Sequence, residues 1–323
     1  KKRPALAFAL VPIDDGSGES RGNGDGEIQP GETIDLLAMV MNGGEGPADR
    51  AFLKVSNQTG RALYLNKGTA NFGAVEAGAM DVKRLNFEVQ GSVPEDTLHM
   101  GLRGGDAIGM GRVNQDITLK VSPGVQRAVD SEKLPGTLKD TTLIRPSAIA
   151  EASPFASLPK GATVVLDGRL PGYERIHFKL GEEIVPGWVA EGSVTKGAGD
   201  ASQVELAHGT PITNMRAPSL KVSVPAYDLP ASMDTLRVKG AVEDDSGIHS
   251  MYAFVNDKKR YFKAVPKAEV LRAGAGVTYP FDMSLPAEPG TNLVEIWVHD
   301  DSGLKTVDYL QVYREPTVAA AAK

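Results

Sequence analysis

Residues 292–313 read NLVEIWVHDDSGLKTVDYLQVY: two strand-length apolar runs, 292–298 and 307–313, meet at Asp300-Asp301-Ser302-Gly303. Asp sets such a turn through its side chain and Gly accepts a positive φ, so the segment reads as hairpin chemistry. The turn is echoed at Asp244-Asp245-Ser246-Gly247. Further runs at 220–224, 234–242, 248–256, 261–265 and 277–285 complete an immunoglobulin-like β-sandwich over 216–315. Both Asp pairs suit turns better than calcium. Residues 316–323 form a tail ending in an Ala run.

Upstream, apolar and β-branched runs at 33–42, 51–56, 62–66, 81–90 and 115–122 are separated by Asn42-Gly43-Gly44, Thr59-Gly60, Ala77-Gly78 and Ser122-Pro123-Gly124. That spacing predicts an immunoglobulin/fibronectin-like sandwich over 1–123. Residues 124–140 are polar and read as a linker, with one short helical turn at 128–133. Within 141–215, short runs at 162–166, 173–180 and 187–189 are too few for a sandwich but enough for a small SH3-like barrel and a following loop. The expected fold class is all-β: sandwich, small barrel, sandwich.

Composition agrees. The 323 residues include 36 Gly and 21 Pro, with 6% aromatic, 41% hydrophobic and 24% charged residues, which suits ordinary cores built from many short elements. The net charge of -6 argues against nucleic-acid partners and anionic membrane surfaces. No run of apolar residues is long enough for a membrane span. With no cysteine, disulfides, thiolate catalysis and cysteine zinc sites are excluded. The chain starts at Lys1 without a signal-peptide pattern and reads as part of a longer or processed polypeptide.

Three segments carry a resemblance. Gly22-Asn23-Gly24-Asp25-Gly26-Glu27-Ile28-Gln29-Pro30-Gly31-Glu32, followed by a strand ending in Asn42-Gly43-Gly44-Glu45-Gly46-Pro47-Ala48, resembles adhesion-type sandwich modules of secreted bacterial enzymes. Lys160-Gly161-Ala162-Thr163-Val164, Tyr173-Glu174-Arg175-Ile176 and Gly187-Trp188-Val189 look like a bacterial SH3-like domain. From Pro218, with Pro289-Gly290-Thr291-Asn292-Leu293-Val294-Glu295-Ile296, the chain is similar to an immunoglobulin-like module. In this order the array resembles the region after the protease core in large, myxobacterial-type tail-specific (carboxyl-terminal processing) serine peptidases with PDZ domains. The resemblance implies a non-catalytic accessory region in an extracytoplasmic (periplasmic or secreted) setting. Its implied partners are a peptidase catalytic core, on the same or a cleaved chain, and protein or peptide substrates. The Ser–Lys dyad of such peptidases has no counterpart here: Ser157 and Lys160 have a tempting spacing but fall in a loop leading into the small barrel. The alternative is a stand-alone cell-envelope or peptidoglycan-binding, adhesin-like protein. A carbohydrate-active enzyme would need a cleft of paired carboxylates, and no spacing identifies one.

Of the local motifs, the acidic loop is the sharpest. In calcium loops of the D-x-[DN]-x-[DN]-G-x5-E kind, alternating side chains converge on one cation, Gly allows the sharp turn, and a distal Glu binds through both oxygens. Asn23, Asp25, Gly26, the Glu27 carbonyl and Glu32 match that spacing, while Arg21 occupies the first ligand position and cannot serve. Asp14 and Asp15 are placed to fold back and replace it, so Ca2+ is the one cofactor expected. The competing reading is a solvated loop ordered by Asx turns. Tyr173, Phe178 and Trp188 suit either a shallow ligand groove or, with greater weight, a core in which Trp188 plugs the barrel.

The other signals are bland. His99, His177, His208, His249 and His299 are widely spaced and show no zinc pattern. No G-x-S-x-G elbow is present. The Gly-rich segments 101–105 and 109–112 lack a Walker lysine and read as turns. The run Asp257-Lys258-Lys259-Arg260-Tyr261-Phe262-Lys263 is the one basic, aromatic stretch; it suits a solvated hairpin or the docking of an acidic partner.

Overall fold

Two apolar runs organise the first part of the molecule. Leu6–Ile13 (β1) and Thr33–Asn42 (β2) pair antiparallel, with Leu6 opposite Asn42 and Ile13 opposite Asp35. Neither alternates apolar with polar. β2 buries seven consecutive residues, Ile34–Val40, which requires a sheet covered on both faces. The computed structural model describes residues 4–107, 113–122, 133–213, 215–245, 247–273, 276–301 and 304–316. They divide into two units, one built mainly from residues 1–215 and the other mainly from 216–323.

In the first unit, Ala48–Asn57 (β3), Leu63–Lys67 (β4), Thr69–Val75 (β5), Met80–Val89 (β6), Thr97–Gly105 (β7) and Val113–Lys120 (β8) join β1 and β2. One sheet contains β1-β2-β6-β4 in that order, with one further short strand beside β1, and the other runs β5-β3-β7-β8. They pack face to face: a Cβ added to Gly104 of β7 would stand 3.1 Å from the Phe8 ring of β1. Strands β1, β5 and β7 were not among the predicted runs. β1 lacks the alternation that marks a half-buried strand.

The next strands are Leu134–Leu138 (β9), Thr142–Ile144 (β10), Ala156–Leu158 (β11), Thr163–Leu170 (β12), Tyr173–Leu180 (β13), Glu183–Ala190 (β14), Val194–Lys196 (β15) and Thr210–Pro211 (β16). They form a five-stranded sheet, β14-β13-β12-β9-β15, and a three-stranded one, β10-β11-β16. The expected barrel does not close among the described residues. Its core is completed instead by the sandwich: Ala9, Val11, Ile13, Leu37, Met39 and Val82 share one apolar cluster with Ile144, Phe155, Val164, Phe178 and Leu180. A module whose open face is covered in this way has no need to close on itself. β9 also falls inside the segment read as linker, where Thr137 pairs with Thr163. The helical turn expected at 128–133 and the turns at 109–112 lie largely or wholly outside the described residues, as does most of the tail.

A two-residue strand, Met215–Arg216 (β17), precedes the second unit. That unit contains Ser219–Ser223 (β18), Asp228–Leu229 (β19), Thr235–Asp244 (β20), Ile248–Val255 (β21), Lys258–Ala264 (β22), Leu271–Ala273 (β23), Gly276–Pro286 (β24), Gly290–Asp300 (β25) and Lys305–Arg314 (β26). The sheets β18-β20-β24-β23 and β19-β26-β25-β21-β22 enclose a separate core that includes Val238, Met251, Leu285, Ile296 and Val312. Asn256 and Asp257 turn the β21–β22 hairpin with φ of 50° and 61°, as the basic stretch suggested. The fold is therefore all-β, and helical segments among the described residues are three-residue 3-10 turns. No helix is long and apolar enough to cross a membrane among the described residues.

Candidate functional site

The loop between β1 and β2 draws three carboxylates out of water. Asp14, Asp25 and Glu32 are each at most 3% exposed. Asp14 folds back across the loop as its position suggested. Its Oδ2 accepts the Gly24 and Asp25 N–H groups at 2.9 and 3.1 Å, and its Oδ1 accepts that of Gly26 at 3.1 Å. Asp25 Oδ1 accepts the Glu27 N–H at 2.8 Å, and Asn23 Oδ1 accepts that of Asp25 at 3.0 Å. Glu32 receives the N–H groups of Asn23 and Gln29 at 3.2 and 2.9 Å. Asp15 turns aside to the Ser17 N–H at 2.9 Å, away from these partners.

Burial, then the charges of Glu32 and Asp25, push the Asp14 carboxyl up to about 7, against the lowering effect of its N–H partners. Burial also raises Glu32. No group of three or more His, Cys, Asp or Glu side chains is arranged to hold a metal among the described residues. The loop instead combines acidic side chains, an Asn, a Gln and backbone, in one dense hydrogen-bonded knot.

This knot is fastened to the small module. Arg175 Nη1 donates to the Gly24 carbonyl at 2.6 Å while its Nε donates to Asp167 at 2.7 Å. Gly26, at φ 80°, lies so close to the Pro146 carbonyl and Ser147 that a Cβ there would collide with backbone. A second tie runs through Arg84, which donates to Asp35 at 3.0 Å and to Glu183 at 3.0 Å.

Sequence reasoning missed two features. Gln29 is 3% exposed and sits between the carboxylates, its backbone donating to Glu32 and its Nε2 to Asp25 Oδ2 at 3.0 Å. Buried Asp167 and Arg175 form a cluster with half-buried His177, whose Nε2 is 2.7 Å from Asp167 Oδ2. Asp167 and His177 line a cleft of ≈ 490 Å³ with Val165, Ile184, Asp200 and Ser202. A bulge between Leu166 and Gly168 brings Asp167 to that face.

Tyr173, Phe178 and Trp188, read as core with greater weight than as a groove, lie apart from this cleft. Phe178 and Trp188 are fully buried, and half-buried Tyr173 packs with Trp188, Leu170 and Ala148. The first two are core, because a module this small fills its interior with its largest side chains. Ser157 lies on β11, and Lys160 reaches Asp140 at 3.5 Å on the surface.

No family model and no curated protein matches the chain. Among solved structures it is similar to the fibronectin(III)-like modules of CbhA from Clostridium thermocellum, at 9% identity over 98% of this chain and 100% of that one, with a TM-score of 0.24. It is also similar to dimeric latent PorU from Porphyromonas gingivalis, at 11% identity over 97% of this chain and 34% of that one, with a TM-score of 0.23. A bacterial ice-binding adhesin gives 12% identity, 98% and 100% coverage and a TM-score of 0.19. Likenesses this low carry no argument about function.

Proposed function

We propose that the chain is a non-catalytic binding region of an extracytoplasmic serine peptidase, which helps position the catalytic core and recruits extended segments of protein substrates. The observation that carries this reading is the free edge of the second unit. Among the described residues β22 ends its sheet and pairs only with β21, and it presents Phe262 at 60% exposure. An edge strand offers unpaired backbone groups to an incoming extended chain, which is how β-strand addition gains affinity. Lys259 lies over the Tyr252 and Phe262 rings at 5.1 and 4.6 Å, so the edge combines positive charge with aromatic area. Lys258 and Arg260 lie against Glu288 and Lys263 against Glu269, so Lys259 with its aromatic neighbours is the feature that favours acidic or aromatic peptide segments.

The envelope-binding alternative drew on an aromatic groove in the small module. It loses that support because Phe178 and Trp188 are core residues.

The test uses the full chain and a fluorescently labelled, permanently unfolded protein, with anisotropy as the readout. Binding at micromolar concentrations is expected, weakened at least tenfold by Phe262→Ala at unchanged melting temperature. Absence of micromolar binding defeats the substrate-recruiting role.

A further inference from the structure

The second feature of the acidic loop that points to a ligand is an orphan. Gln29 Oε1 is buried and has no hydrogen-bond partner among the described residues. A buried amide oxygen left unpaired is costly, and such exceptions need an explanation. Its surroundings are anionic: the same side chain donates Nε2 to both oxygens of Asp25, at 3.3 and 3.0 Å, and its backbone N–H to Glu32. Turning the amide over would set Oε1 against the Asp25 carboxylate, oxygen facing oxygen. A cation joining the cluster would let Oε1 face the carboxylates without oxygen–oxygen repulsion.

Among the described residues, no arginine or lysine supplies that charge. The guanidinium nearest in the hydrogen-bond network, Arg175, spends its donors on the Gly24 carbonyl and Asp167. Asp14, Asp25 and Glu32 form no ion pair with a basic side chain among the described residues.

We propose that the loop from Asp14 to Glu32 is a calcium-class cation site whose donors include Asp25, Glu32, Asn23 Oδ1 and Gln29 Oε1, with Asp14 holding the loop backbone in shape. All of these donors are hard oxygens, and their mixture of carboxylate and amide suits Ca2+ over softer transition metals. The amide of Gln29 turns from donor to ligand when the ion enters. Asp14 already gathers the N–H groups of Gly24, Asp25 and Gly26. It therefore fixes the turn on which the ligands stand. Because the loop is tied to Arg175, Pro146 and Ser147, the cation also fastens the sandwich to the small module. This inference stands apart from the substrate-binding edge and can fail without it.

The experiment titrates CaCl2 into the chelator-treated full chain by calorimetry, with thermal unfolding followed in 10 mM Ca2+, in 10 mM Mg2+ and in chelator at matched ionic strength. One saturable site in the roughly 10⁻⁴–10⁻³ M range typical of extracellular modules is expected. A rise of several degrees in melting temperature should accompany Ca2+ and exceed that with Mg2+. Gln29→Leu should weaken Ca2+ at least tenfold. Should that variant fail to fold, the half-buried Asn23→Ala decides, with the same expected loss. Identical melting in Ca2+ and chelator, without binding heat, overturns the proposal. An equal Mg2+ response overturns it as well. A Ca2+ response untouched by these substitutions moves the ion elsewhere and overturns this assignment.

Discussion

The two units of this chain use the same strands in opposite ways. In the second unit, β26 alternates almost perfectly: Asp308, Leu310 and Val312 point inward while Tyr309, Gln311 and Tyr313 are exposed. In the first unit, β2 buries Leu36 and Ala38 on one face and Leu37 and Met39 on the other. The first pattern belongs to a sheet with one wet face, the second to a sheet lying between two apolar neighbours. A middle sheet makes the sandwich and the small module one structure, because Leu37 and Met39 contribute to a cluster whose other half is Phe178, Leu180 and Val185. Each such side chain, fully buried, is worth about 1.5–3 kcal/mol.

The chain's two tryptophans offer the strongest way to break this comparison. Trp188 is 1% exposed in the first unit, whereas Trp297 is half-buried on the outer face of the second, stacked on Tyr252 at 5.9 Å. Trp188→Ala should cost about 3–5 kcal/mol, as core aromatic deletions do. Trp297→Ala should cost markedly less, since its face already meets solvent. Urea unfolding followed by circular dichroism measures both, with the fluorescence of the remaining tryptophan marking the unfolding of the other, unaltered unit. Equal losses would mean that the outer face of the second unit is as buried as the core of the first.

Next in size is the middle sheet itself. Leu37→Ala removes a side chain from the shared cluster and should cost about 2–5 kcal/mol. It faces the small module, so the loss should also loosen β12–β14, seen as faster amide exchange at Ile176 and Val185. Unchanged exchange there would make the shared core a passive contact.

These contrasts also explain what the sequence discloses. The second unit was legible through alternation, and 292–298 and 307–313 lie inside the observed β25 and β26; Ser246, Ser302 and Gly303 of the two Asp-Asp-Ser-Gly segments lie outside the described residues, and the short β19 and β23 were not predicted. Around β1 the same reading falls short. Leu6–Ile13 is a continuous apolar run, and its second partner comes from residues about 130 to 180 positions later. The acidic loop was half legible. Its spacing points to Asn23, Asp25 and Glu32 and to the return of Asp14, but Gln29 looks like an ordinary loop residue until its burial is known. The Asp167–Arg175–His177 cluster was not legible, since one extra residue in β12 decides which face Asp167 takes.

That cluster gives a pH test of the first unit alone. Burial raises the Asp167 carboxyl, but hydrogen bonds and charges from His177 and Arg175 together outweigh it and hold the group below its ordinary value. Its folded pKa therefore lies below the unfolded one. The stabilisation is complete above the unfolded value near about 3.9 and is lost as pH falls through the folded value. In a Trp297→Phe background, where Trp188 reports the first unit, urea midpoints should fall below about pH 4. Asp167→Asn should start lower and follow a flatter profile there. A parallel profile would assign the acid sensitivity to other carboxylates.

The smallest expected effect on stability is at the free edge of the second unit. Phe262 is 60% exposed on β22, and its ring meets the Lys259 ammonium at 4.6 Å. Phe262→Ala should change the second unit's stability by no more than about 0.5 kcal/mol, the range of surface substitutions away from packed features. Its effect on binding to an unfolded protein should be tenfold or more. The contrast with Trp188 is then complete: one aromatic holds a core together, the other serves a partner. If Phe262→Ala instead destabilises the unit by several kcal/mol, the edge is structural, and β22 is held by its own side chains rather than kept open for an incoming strand.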